Sequence, residues 1–197
     1  AVTANFVPTD ATNYNSLTSA TAGNFVINQA ATTTTVTCTA GPFTYTGSAI
    51  TPCSASVTGP GGLNLSGLTV SYSNNIGAGT ASASATYAGA PNYLTSTDSK
   101  NFTIGKGTPT LSISNSPATY DGAAKTATVV GSPGGTVSNI QYGGAPTAPT
   151  AAGTYAITAD FEPTDTANYI SLTGAAVGNF IINKAATTTT VTCTAGP

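Results

Sequence analysis

Three cysteines carry the sharpest chemistry in this 197-residue chain. Cys38 and Cys53 lie 15 residues apart, and Cys193 follows Cys38 at a distance of 155 residues. Cys38 and Cys53 flank the turn-forming run Tyr45-Thr46-Gly47, which places them on consecutive strands, the first and second of their unit. A bridge between them would close a short loop and add about 3 kcal/mol on the chain-entropy model. Such a bridge needs an oxidising compartment. Three reduced, buried thiols are the alternative. A structural metal site is not expected, because the chain has no His and no set of four thiolates.

Other residue types offer weaker chemistry. Pro8-Thr9-Asp10 with Asn13, and Glu162-Pro163-Thr164-Asp165 with Asn168, gather oxygen atoms of the kind Ca²⁺ takes. Val7 stands where the second copy has Glu162, and an Asx-type turn accounts for the same residues. Lysines beside Asn or Asp on strands raise an intramolecular isopeptide bond, which needs a buried Lys, Asn and acid together. Lys106 and Lys184 read instead as solvated strand ends. Asn64-Leu65-Ser66 and Asn101-Phe102-Thr103 fit the N-glycosylation pattern, and the threonine runs 32–35 and 187–190 offer hydroxyls to O-linked sugar. Without His or Arg, and with six dispersed acids, no acid–base pair or nucleophile–base dyad is indicated. The expectation is no enzyme and no cofactor. Tyr45, Tyr72, Tyr87, Tyr120, Tyr142 and Tyr155 read as core or corner aromatics with wet hydroxyls.

The elements that position these residues come in repeats. Residues 30–42 return letter for letter at 185–197, and residues 1–29 align without gaps on 156–184. Of the 42 aligned positions 31 are identical at one constant offset, which marks a tandem array rather than a chance motif. Each period divides again. Thr44-Tyr45-Thr46-Gly47 answers Thr119-Tyr120-Asp121-Gly122, Ala78-Gly79-Thr80 answers Ala152-Gly153-Thr154, and Asn92-Tyr93 answers Asn168-Tyr169. The segment with Asn101-Phe102-Thr103-Ile104-Gly105-Lys106 likewise answers Asn179-Phe180-Ile181-Ile182-Asn183-Lys184. Four pieces result: 1–29 as the C-terminal part of a preceding unit, 30–107 as a disulfide-bearing first-type unit, 108–184 as a second-type unit, and 185–197 as the first strand of another first-type unit. Cys193 then copies Cys38, and the copy of Cys53 falls past the last residue. Cys193 is expected to be unpaired by truncation or to pair between chains.

Within the units the hydrophobic period is two. Ala81, Ala83, Ala85 and Tyr87 form one inward set, and Tyr155, Ile157, Ala159 and Phe161 form its counterpart. Leu68, Val70 and Tyr72 form another, as do Leu111 with Ile113 and Phe102 with Ile104. Such alternation predicts antiparallel sheets with one buried face. Gly/Pro steps at 59–62, 133–135 and 143–144 punctuate the strands. Short strands at this density predict an all-β chain of small β-sandwiches. The linkers 104–109 and 182–186 pass almost directly from a last strand to a first strand, which limits flexing.

Charged residues are only 5% of the chain and the net charge is -2, so no field attracts nucleic acid or an anionic membrane. No apolar run is long enough for a membrane span.

The combination of Tyr-x-Gly, Ala-Gly-Thr, Asn-Tyr and Asn-Phe-x-Ile-x-Lys resembles the MBG/YDG-type tandem repeats of large bacterial surface proteins. Val36-Thr37-Cys38, Pro52-Cys53 and residues 57–62 make the first-type unit similar to the cysteine-bearing Ig-like relatives of those repeats. The resemblance implies tandem Ig-like sandwiches, an extracellular or cell-surface location, and no catalytic residues. Gln29 stands where the pattern closes with Lys. The expected function is a structural segment of a stalk, adhesin shaft or extracellular filament. Its partners would be neighbouring repeats or copies of itself, joined end to end or by lateral β-pairing. The alternative is a carbohydrate- or matrix-binding module using loop tyrosines such as Tyr93 or Tyr169 and a surface glycan.

Overall fold

The computed structural model describes residues 1–193 and 196. Among the described residues there are fifteen strands, the longer ones formed by the sequence's alternating runs. They begin with β1 (Val2–Phe6), β2 (Leu17–Gly23), β3 (Thr33–Cys38), β4 (Phe43–Thr44) and β5 (Cys53–Gly59). The next five are β6 (Leu63–Ser66), β7 (Ser71–Ser73), β8 (Gly79–Tyr87), β9 (Ser96–Gly105) and β10 (Thr110–Ile113). The last five are β11 (Ala118–Thr119), β12 (Val129–Ser132), β13 (Gly135–Tyr142), β14 (Gly153–Pro163) and β15 (Leu172–Asn183). Among the described residues the one helical element is a 3-10 turn, Pro60–Gly62. The chain is all-β and sandwich-like, as its period-two pattern requires.

One strand order occurs twice. In the first-type segment β4 pairs in parallel with the end of β9, and the sheet runs β4-β9-β8-β7. In the second-type segment β11 pairs in parallel with the end of β15, and the sheet runs β11-β15-β14-β13. Each segment adds a smaller antiparallel sheet, β3-β5-β6 in the first and β10-β12 in the second.

By contact density the chain forms two compact units that interleave along the sequence. The first comprises Ala1–Cys38, Cys53–Ser71 and Ala83–Lys100. The second comprises Thr39–Pro52, Tyr72–Ser82 and the described residues from Asn101. These units do not coincide with the sequence segments 30–107 and 108–184, because residues 39–52, 72–82 and 101–107 group with the second-type segment.

In the first unit Val36, Ala55 and Val57 are buried across the β3–β5 ladder, with Ala83 and Ala85 from β8. Thr34 is also buried, and its hydroxyl is satisfied by Ser96. The Val36 amide donates to the Asp98 carboxylate at 2.7 Å. In the second unit Ala127, Val129, Tyr142, Ile157, Ala159, Phe180 and Ile182 form one core cluster. Phe43 and Tyr72 each meet Phe102 edge to face, at centroid distances of 5.7 and 6.3 Å.

The inward sets at 81–87 and 155–161 are seen as expected, though Tyr87 and Tyr155 are half-buried. The set Leu68, Val70 and Tyr72 is corrected: Leu68 and Val70 precede the strand, which spans only Ser71–Ser73. Tyr142 also departs from expectation. Its hydroxyl is not wet but accepts the Ala127 amide at 2.8 Å inside the core.

Few carboxylates matter to this fold, and each one that is perturbed is shifted the same way. The Val36 amide holds the Asp98 carboxyl below its usual range, Asn13 does so for Asp10, and Lys125 for Asp121. A lowered folded-state value contributes stability above the unfolded value, and that stability is lost as pH falls through the folded value. The melting temperature is therefore expected to stay flat from pH 8 down to about pH 4, the ordinary aspartate range, and to decline only below it. Thermal scans at one-unit pH steps check this. A marked loss between pH 8 and pH 5 would contradict it.

Candidate functional site

The recurring site is a clamp between a loop and the chain entering a segment. Residues β-paired on either side of a tight turn present backbone groups at fixed spacing, so a linker can be gripped without side-chain chemistry.

In the first unit the linker residue Ala30 donates its amide to the Asn92 carbonyl at 2.8 Å. The Leu94 amide returns to the Ala30 carbonyl at 2.9 Å. Immediately before it, the Gln29 side-chain amide donates to the carbonyls of Ala90 and Pro91 at 3.0 and 3.2 Å. The loop itself is closed by reciprocal bonds between Ala90 and Tyr93, both 3.0 Å. The Tyr93 hydroxyl donates to the Pro60 carbonyl at 2.8 Å, against the 3-10 turn.

The second unit repeats the device. Gly107 donates to the Asn168 carbonyl at 2.8 Å and accepts from the Ile170 amide at 3.0 Å. Lys106 Nζ donates to the Thr166 carbonyl at 2.6 Å, in the place taken by Gln29 in the first clamp. The Tyr169 ring meets Tyr45 edge to face at 5.2 Å. A Cβ on Gly107 would come within 3.0 Å of that ring and 3.2 Å of the Tyr45 carbonyl, so this crossing favours glycine. The Asn168 side chain accepts the Ala78 amide at 2.8 Å and donates to Asp165 at 2.8 Å.

These contacts place most of the candidate residues. The carboxylates of Asp10 and Asp165 are engaged by turn donors, Asn13 and Asn168 respectively, which is the Asx-turn arrangement. Lys106 is not a merely solvated strand end but a clamp donor, whereas Lys184 is exposed. Gln29 does the work of the Lys it replaces. Tyr93 and Tyr169 are half-buried in the two clamps rather than displayed on an open face. Sequence reading missed the clamps because their acceptors are backbone carbonyls. The recurrent Asn-Tyr pair was the visible signal.

Cys38 and Cys53 stand directly opposite each other at the end of the β3–β5 ladder and form a disulfide, with Cα atoms 3.9 Å apart. At the matching place in the second-type segment, Asn115 ties β10 to β12 by hydrogen bonds. Its Oδ1 accepts the Thr128 amide at 2.7 Å, and its Nδ2 donates to the Thr126 carbonyl at 2.8 Å. Cys193 is a free, exposed thiol. Residues 185–193 form no strand, and Thr194, Ala195 and Pro197 of the expected strand 185–197 lie outside the described residues. Asn64 and Asn101, the two glycosylation candidates, are exposed. Among the described residues no helix is long and apolar enough to cross a membrane.

This is an all-β, sandwich-like protein in which a loop twice clamps the chain entering its own segment. Residues 109–186 match the MBG domain family, so this part of the chain is similar to an MBG-type repeat. No curated protein matches the chain.

Proposed function

We propose that the chain is a structural segment of a secreted bacterial surface protein, in which Ig-like β-sandwich repeats in tandem form a stalk, adhesin shaft or extracellular filament. It works without catalysis, and its immediate partners are the neighbouring repeats. The observation that carries this reading is the clamp at the linker. Two backbone hydrogen bonds seize the residue at the entry to each segment, Ala30 and Gly107, and a long side chain anchors the residue before it. Only Lys106 separates the end of β9 from the clamped Gly107. A linker this short and this tied behaves as a stiff joint, so repeats in series set a length rather than a loose tether. The Cys38–Cys53 disulfide fits an oxidising, extracellular setting, and MBG domains are typical of surface proteins. The carbohydrate- or matrix-binding alternative is weakened by the use of Tyr93 and Tyr169 in the clamps.

The test is Tyr169→Ala in the full chain, read by small-angle scattering and by amide exchange. The Tyr169 ring covers Gly107, so its loss removes roughly 2 kcal/mol of half-buried packing. Exchange at Gly107 and Ile170 should quicken at least about tenfold, and the distribution of chain dimensions should broaden. Wild-type scattering that already requires a broad distribution would overturn the stiff-series reading.

A further inference from the structure

Residues 1–29 form a folded piece of a second-type segment whose inner face is bare. The pairs Val2↔Gly23, Thr3↔Thr21, Ala4↔Ala20 and Phe6↔Leu17 reproduce, residue for residue, Ile157↔Gly178, Thr158↔Ala176, Ala159↔Ala175 and Phe161↔Leu172. Both irregularities of the ladder fall at the same places. Asn5 accepts the Ser19 amide as Asp160 accepts that of Gly174. The Asp10 turn matches the Asp165 turn.

The two copies differ in what covers them. Phe161, Phe180 and Ile182 are 2%, 0% and 2% exposed, whereas Phe6, Phe25 and Ile27 are 60%, 76% and 83% exposed. In the covered copy the neighbours include Leu111, Ile113, Val129, Val137 and Tyr142, all from residues 108–155. The ladder tells the same story. β15 runs on to Asn183 because residues 153–156 pair with 179–182 and β11 pairs beyond. Residues 24–29 have neither partner and form no strand. Tyr14 is 67% exposed, though its twin Tyr169 is packed on a linker glycine.

We propose that the bared face of this hairpin is the docking surface for the N-terminal half of a second-type segment, a polypeptide of the pattern of residues 108–155. The Asn13-Tyr14 loop seats the Lys-Gly-Thr linker leading into it. By equivalence with Gly107, the linker glycine donates to the Asn13 carbonyl and accepts from the Asn15 amide, while its lysine reaches the Ala11 carbonyl. The side-chain change from Thr166 to Ala11 is harmless there, because only the carbonyl is used. A second copy of this chain is a poor occupant, since its own residues 108–155 are already held by its β14 and β15. This inference rests on the series reading above and names the partner that the series supplies.

The test fuses residues 108–155 in front of Ala1 of the full chain. Exchange at the amides of Phe25, Val26 and Ile27 should slow by about 100-fold or more as the ladder completes. Binding of a hydrophobic dye should fall with it. A matched fusion carrying Leu111→Asp and Val129→Asp in the added segment alone should give neither effect. A synthetic 108–155 peptide added to the unmodified chain gives a second readout, free of any misfolding of the fusion. Equal protection in both fusions, together with no protection by the peptide, would overturn the proposal. So would doubling of the native mass with protection of the same amides, which makes a second copy the occupant. A stiff 107–170 joint in the Tyr169→Ala comparison alongside a failed docking test rejects this surface alone. Loss of both rejects the series.

Discussion

Gly135→Ala is expected to disable the second-type segment, while Gly134→Ala next to it does almost nothing. A Cβ on Gly135 would lie 2.3 Å from the Glu162 carbonyl oxygen, 2.6 Å from Phe161 Cζ and 2.8 Å from Pro163 Cα. Two of these atoms are backbone of β14, to which Gly135 pairs opposite Pro163, so the strands must part. Gly131 faces the same ring, and a Cβ there would reach Phe161 Cε2 at 2.3 Å. The two glycines therefore make the space that the fully buried Phe161 fills. Relief by ring rotation is open to an alanine at 131 but not at 135, where carbonyl and Cα stand in the way. The expected cost at 135 is about 3 kcal/mol or more, the upper end of overpacking. Phe161→Ala should cost a similar amount, about 3–5 kcal/mol, for the opposite reason of a cavity. Gly134 has open space around its Cβ position and should stay within about 0.5 kcal/mol of wild type. Denaturant unfolding of the three variants decides it. A Gly135→Ala chain as stable as Gly134→Ala would show that β13 and β14 do not approach as described.

Much of this was legible in the sequence, and the parts that were not have a common cause. Ala81, Ala83 and Ala85 could be placed inward because alternation over a long strand leaves only one consistent face. The Cys38–Cys53 pairing was readable from the spacing, but β4 intervenes, so the two lie on β3 and β5 and not on consecutive strands. The strands Phe43–Thr44 and Ala118–Thr119 were not, since two residues carry no period, and their parallel pairing comes from partners about sixty residues away. Leu68 and Val70 look like a strand because they alternate, yet they lie before β7, and the Leu68 amide donates instead to the Ala55 carbonyl of β5. The clamps were hidden for a different reason. Asn92, Asn168, Ala30 and Gly107 act through backbone N–H and C=O groups, which every residue has. Gln29 and Lys106 share a role because either side chain can reach a carbonyl with an N–H, so identity at that position misleads and donor capacity does not. Gly135 reads as turn punctuation within 133–135 and Gly131 carries no signal of its own, although both make room for the Phe161 ring.

Removing the disulfide is expected to loosen β3 against β5 and leave the second-type core intact. Cys38 and Cys53 close 15 residues of chain, worth about 3 kcal/mol on the loop-entropy model. In the Cys38→Ser/Cys53→Ser chain, exchange at the Val36 and Val57 amides should therefore quicken by about two orders of magnitude. Protection at Ile157 and Phe180 should hold, because the β14–β15 ladder lies outside the bridged loop and is held by its own pairing and packing. Unchanged protection at Val36 and Val57 would sink the idea that the bridge stabilises the first-type segment. The bridge also bears on mechanics, which matters for repeats that set a length. Pulled from its ends, an oxidised first-type segment cannot release the loop between the two cysteines. Reduction should add roughly 50 Å of contour length per segment, since an extended residue spans about 3.3–3.6 Å. The second-type segment has only hydrogen bonds at the matching site, at about 1 kcal/mol each. It should yield at its full length whether or not reductant is present. Single-molecule stretching thus separates the two segment types by one variable. A force trace with no reductant-dependent step would mean that the disulfide does not limit extension.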